Sequence, residues 1–163
     1  MPDQQTPETL PAPQLAPAAG AARTVGIDPR GPRFGAAVSA VLLGATVVVG
    51  SGPLGTALLG IAALGFLLGA ARGAQHTVQG WAFRRFVRPR LAPPAELEDP
   101  APPRFAQVVG LTVTAGGLVL GVLIPAAVPV AAGIALVAAF LNAAFGVCLG
   151  CEMYLLIQRL RRA

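Results

Sequence analysis

Leu54-Gly-Thr-Ala-Leu-Leu-Gly-Ile-Ala-Ala-Leu-Gly-Phe-Leu-Leu-Gly-Ala-Ala71 contains no charged residue. A helix over these residues rises about 27 Å at 1.5 Å per residue. That is close to the roughly 30 Å hydrocarbon thickness of a bilayer. Three more stretches have the same character: Phe34 to Gly50, Val108 to Ile124, and Val130 to Ile157. The last is longer and holds Asn142, Glu152 and both cysteines. The spacing predicts an all-α polytopic membrane protein with four transmembrane helices, at about 34–51, 54–71, 106–124 and 130–157.

Composition agrees. The 163 residues are 55% hydrophobic and only 12% charged, and mean hydropathy is +0.68. A soluble domain carries about 25% charged residues, so this chain cannot cover a globule with polar surface. Every one of the 12 basic residues is arginine, and net charge is +5. Their positions argue against nucleic acid as the partner. They fall before the first stretch, between the second and third, and after the fourth; the connections Ser51–Pro53 and Pro125–Pro129 have none. That is the positive-inside pattern. It predicts a multi-pass plasma-membrane protein with both termini and the central segment 72–104 in the cytosol. Residues 1–26, rich in Pro, Ala, Gln and Thr, lack the basic start and apolar core of a signal peptide and read as a disordered cytosolic tail, leaving 27–163 as the membrane domain.

Asp28-Pro-Arg-Gly-Pro-Arg-Phe34 recurs as Asp99-Pro-Ala-Pro-Pro-Arg-Phe105, matching at five of seven positions at an offset of 71. Each copy precedes an apolar hairpin. Both copies start on the same side, so the chain reads as two parallel hairpin repeats related by an axis along the membrane normal. Between them, Trp81, Phe83, Phe86 and Val87 interleave with Arg84, Arg85 and Arg88, and Pro89, Pro93 and Pro94 follow. This predicts an amphipathic helix lying at the inner interface, ended by the prolines. Gly65-x-x-x-Gly69, Gly117-x-x-x-Gly121 and Gly146-x-x-x-Gly150 allow helices to approach closely, within one bundle or between copies of the chain.

Candidate chemistry concentrates in Phe145-Gly-Val-Cys-Leu-Gly-Cys-Glu-Met-Tyr154, which holds the chain's only two cysteines. Cys148 and Cys151, three apart, lie close enough for a disulfide, a shared metal or a persulfide. At the cytosolic boundary a permanent disulfide is disfavoured. Glu152 adjoins the pair and is a candidate proton acceptor; carboxylates are costly at membrane depth. His76 offers a third metal ligand, and Asn142 an interhelical hydrogen bond. If one helix runs through Gly150, Gly146 and Gly150 face a neighbouring helix while Cys148, Cys151 and Glu152 face the opposite side. The motif would then sit near a helix C-terminus, which opposes a reactive thiolate. Two packed, inert cysteines are the structural alternative.

The runs Arg88 to Gly110 and Leu141 to Leu155, above all Pro-Pro-Arg-Phe-Ala-Gln107 and Cys-Leu-Gly-Cys151, resemble the bacterial membrane family designated domain of unknown function 4395. The resemblance covers about residues 27–162. It implies a small integral membrane protein of a kind common in actinobacteria and often encoded near rhodanese-like sulfurtransferases or thioredoxin-like proteins, and through that a role in thiol or sulfur handling. It carries no catalytic residues beyond Cys148 and Cys151, and no cofactor. The expectation is thiol redox or sulfur relay at the inner face. A structural or transport subunit with inert cysteines, and metal binding through the pair, are the alternatives.

Overall fold

The computed structural model describes residues 26–162; the tail expected over 1–26 lies, Gly26 apart, outside them. Four long apolar helices form the bundle: α1 (Arg30–Val49), α2 (Pro53–Arg72), α4 (Ala101–Gly121) and α5 (Ala127–Phe145). Each is long and apolar enough to cross a membrane. A short helix, α3 (Val78–Ala82), comes after α2, and a final helix, α6 (Leu149–Arg162), comes after α5. The described residues form no strand, only one antiparallel bridge between Ile27 and Glu98.

The offset of 71 organises the whole molecule. Asp28 Oδ1 accepts the Arg30 N–H at 3.0 Å, and Asp99 Oδ1 accepts the Ala101 N–H at 2.8 Å. Both spans therefore start several residues before their apolar stretches. Ile27 and Glu98, themselves 71 apart, pair with each other through two backbone hydrogen bonds of 2.9 and 3.0 Å. That self-pairing of equivalent positions marks a two-fold relation between the halves. Packing obeys it: α1 lies mainly on α5, and its counterpart α4 mainly on α2. Arg104 reaches across to the end of α2, donating to the Ala70 and Ala71 carbonyls at 2.7 and 3.0 Å. Its counterpart Arg33 lies over the end of α5, its Cζ 3.5 Å from where a Gly146 Cβ would stand. Cations at helix C-termini satisfy orphan carbonyls and complement the dipole.

The core is small-residue packing. Leu43, Leu59 and Val128 are buried with Ala62, Ala131, Ala132 and Ala135. Gly117 and Gly121 of α4 sit against Ala131 and Val128 of α5, where added Cβ atoms would collide. Many large apolar side chains, including Val41, Val48, Ile61 and Leu64, remain exposed. In water this would be a liability, whereas against lipid it is the expected exterior.

Two sequence expectations change. The fourth span is not one helix over 130–157. α5 stops at Phe145 because Gly146 turns left-handed, at φ +73°, a conformation that costs other L-residues about 1–2 kcal/mol. In the central segment, Gly73 at φ +91° ends α2 directly after Arg72. In place of one amphipathic helix the segment holds α3, a π-helical turn over Phe83–Val87 and a tighter turn at Arg88–Arg90. Trp81 and Phe86 are exposed and meet edge to face, while Phe83 is buried against Phe34.

Candidate functional site

The break at Gly146 repositions the cysteines. The Gly146 N–H donates to the Asn142 carbonyl at 3.0 Å and the Val147 N–H to the Leu141 carbonyl at 3.2 Å, closing α5. Cys148 then stands immediately before α6, where its carbonyl accepts the Glu152 N–H at 3.0 Å. Its Sγ lies 3.3 Å from the Cys151 backbone nitrogen and accepts that hydrogen bond. Cys148 thus occupies the position where a helix needs an acceptor for its orphan N–H groups. The expectation that the motif lies near a helix C-terminus is overturned: it opens a 14-residue helix. So is the face assignment that assumed continuity through Gly150. Gly150 does meet a neighbour, since an added Cβ would stand 2.6 Å from Ala106 Cα.

Cys148 and Cys151 are joined as a disulfide, with Cα atoms 5.2 Å apart, and both residues are half-buried. Glu152 is exposed in the first turn of α6, where a carboxylate complements the helix dipole. His76 Nδ1 donates to the Arg72 carbonyl oxygen, 2.8 Å away. Among the described residues no three His, Cys, Asp or Glu side chains converge to hold a metal ion, so His76 does not join the pair as a third ligand.

The two-fold relation supplies an internal comparison that the sequence reading missed. The offset of 71 maps Cys148 onto Thr77 and Cys151 onto Gly80. Thr77 starts α3 as Cys148 starts α6, its Oγ1 accepting the Gly80 N–H at 3.1 Å. Tyr154 maps onto Phe83, and the correspondence holds in space. Phe105 meets Tyr154 with ring centroids 5.6 Å apart, and Phe34 meets Phe83 at 5.9 Å. Gly80 cannot become cysteine without strain, because a Cβ there would lie 2.6 Å from the Ala74 carbonyl oxygen. One fold element thus appears twice, capped by an ordinary hydroxyl in one copy and by a cysteine pair in the other.

Cys148 also lines a cavity of about 500 Å³ enclosed by α1, α2, α4, α5 and the start of α6. Its wall is mostly apolar, and Ser39, Gln107 and Asn142 are among its lining residues. The corresponding space in the first half, around Pro32, Gly35, Thr77 and Gln79, holds only about 20 Å³. Gln79 lines the smaller space and its counterpart Gly150 the larger one.

A duplicated bundle of four membrane-length helices, with a cysteine pair opening a short terminal helix, defines a class of polytopic α-helical membrane protein. Within it, the chain belongs to the family described as Domain of unknown function (DUF4395), whose model matches residues 27–159. No curated protein and no solved structure matches it significantly.

Proposed function

We propose that this protein is a thiol–disulfide exchange protein of the bacterial plasma membrane, with Cys148 and Cys151 alternating between disulfide and dithiol. One observation carries the reading. The cysteines stand at a helix N-terminus whose duplicate is built, with the same cap geometry, from Thr77 and Gly80. The fold therefore needs a hydrogen-bond acceptor at that position and has no need of sulfur.

The chemistry comes from the placement. With the disulfide open, the Cys151 N–H and the α6 dipole favour a thiolate on Cys148. The thiolate attacks a partner's disulfide, and Cys151, one turn on, displaces the partner and closes the ring. Glu152, exposed beside the pair, is placed to take the Cys151 proton through solvent. Positive-inside distribution of the arginines supports a cytosolic position for this end of the bundle. There Arg159, Arg161 and Arg162 on α6 and Arg84, Arg85 and Arg88 in the central segment, all exposed, offer a basic surface to a thioredoxin-like or sulfurtransferase partner.

Mixed-disulfide trapping tests the reading. In Cys151→Ser the remaining thiol cannot be resolved, so a partner stays covalently attached to Cys148 and is released by reductant. If neither Cys151→Ser nor Cys148→Ser captures any protein or small thiol in living cells, exchange is excluded. Recovery of a persulfide on Cys148 instead would assign the same pair to sulfur relay.

A further inference from the structure

The thiol-exchange reading leaves open where the electrons go, and the cavity answers it. Resting on that reading, we propose that the cavity binds a membrane quinone and that the Cys148–Cys151 dithiol reduces it.

Three observations converge. First, the cavity and the cysteines occur together. In the half with Thr77 and Gly80 the equivalent space is nearly closed, at about 20 Å³, while beside Cys148 it holds about 500 Å³. Ligand sites span about 300–1,000 Å³, enough for a quinone ring and the first units of its tail. Second, the wall suits that occupant. It is mostly apolar, and Ser39, Gln107 and Asn142 among its lining residues carry polar groups that can meet ring carbonyls. A charged or strongly hydrated oxidant would find no ionic partner there. Third, the cavity reaches the lipid. It extends along α5 from Asn142 to Ile134, and Ile134 and Val137 on its wall are more than half exposed, so this flank is not closed by the protein. Ile134 stands 11 residues before the end of α5, roughly 17 Å into the bundle at 1.5 Å per residue. A lipophilic carrier can therefore enter sideways from the bilayer and present its ring to Cys148.

The step balances. Two S–H bonds break and one S–S bond forms between Cys148 and Cys151. The two electrons and two protons released convert the two quinone carbonyls to the hydroxyls of a quinol. The dithiol is regenerated by the thiol partner, so the protein would pass reducing equivalents from a soluble thiol to the membrane quinone pool.

The test uses the full chain in lipid nanodiscs, reduced with dithiothreitol, freed of excess reductant, and mixed with decylubiquinone. The expected result is one quinol per two thiols lost, at a rate at least tenfold above the Cys148→Ser/Cys151→Ser variant. Ala36→Phe on α1 and Ala138→Phe on α5, each filling the cavity from a different wall, slow quinol formation at least tenfold. Both variants keep the wild-type unfolding temperature and a disulfide that dithiothreitol opens, so the slowing reports the filled cavity and not a lost fold. If the wild-type disulfide is not opened by dithiothreitol at all, the exchange reading itself falls. If it opens but the dithiol gives no quinol above the double variant, or both filled variants match wild type, the quinone site is refuted and exchange stands. A cavity occupied by lipid acyl chain gives that second outcome.

Discussion

Replacing Gly146 by alanine probes the turn on which the cysteine geometry depends. Gly146 holds φ at +73°, and an L-residue there costs about 1–2 kcal/mol. Sterics add little, since the nearest foreign atom to a new Cβ is Arg33 Cζ at 3.5 Å, ordinary van der Waals contact. The variant can accept that cost in place, or relieve it by extending α5 toward Cys148. In the second case the Cys148 carbonyl and Sγ lose their roles at the start of α6. Helix-dipole stabilisation of a charge is about 0.3–1 kcal/mol. With about 30 mV per 1.4 kcal/mol for a two-electron couple, the pair's midpoint then falls by roughly 6–20 mV. Gly146→Asn is the control, because asparagine tolerates the left-handed region. The assays are denaturant unfolding in detergent and alkylation of the reduced protein by iodoacetamide. Expected are a loss of about 1–2 kcal/mol in Gly146→Ala, a smaller one in Gly146→Asn, and slower alkylation of Cys148 wherever the turn is lost. Wild-type stability together with wild-type alkylation in Gly146→Ala would refute the claim that a left-handed glycine positions the pair.

Thr77→Ala removes the Oγ1 that bonds both the Gly80 N–H and the Ala74 carbonyl; unfolding in detergent should show a loss of about 1 kcal/mol, with thiol exchange unchanged. Burial pushes the Asp28 carboxyl up, but hydrogen bonds from the Arg30 side chain and N–H outweigh it and hold the group below its ordinary value. Its folded-state value is thus the lower one, so the Asp28 contribution is complete above the unfolded value and lost as pH falls through the folded one. Asp28→Asn should therefore be less stable than the parent at pH 7, with the gap closing below about pH 4; a gap independent of pH would contradict this. In intact cells, a membrane-impermeant maleimide should not label a cysteine placed at Ala163, and labelling before lysis would invert the orientation.

The four spans were legible because apolar length near 20 residues has one main use in a chain this poor in charge. The duplication was legible at its polar edges, where Asp28 and Asp99 both serve as helix-start acceptors. It faded inside the spans, where many apolar side chains satisfy lipid equally well. The helix break was not read, because hydropathy runs unbroken from Ala143 through Leu149 and Gly146 looked like one small interface residue among many. A signal existed. Carrying the offset of 71 past the spans aligns Thr77 with Cys148 and Phe83 with Tyr154, and Thr77 is a recognisable helix start. The cavity had no such signal. Its lining comes from α1, α2, α4, α5 and the start of α6, and only the packing of those helices brings the residues together.

The most direct test of a working cysteine pair at the start of α6 is a redox titration in native membranes against defined dithiothreitol couples, read by alkylation of Cys148 and Cys151. Exchange chemistry predicts a single two-electron transition with a midpoint above about −300 mV, the range of labile, catalytic pairs. A disulfide that resists reduction well below that potential, or two thiols that never oxidise across the range, would contradict it.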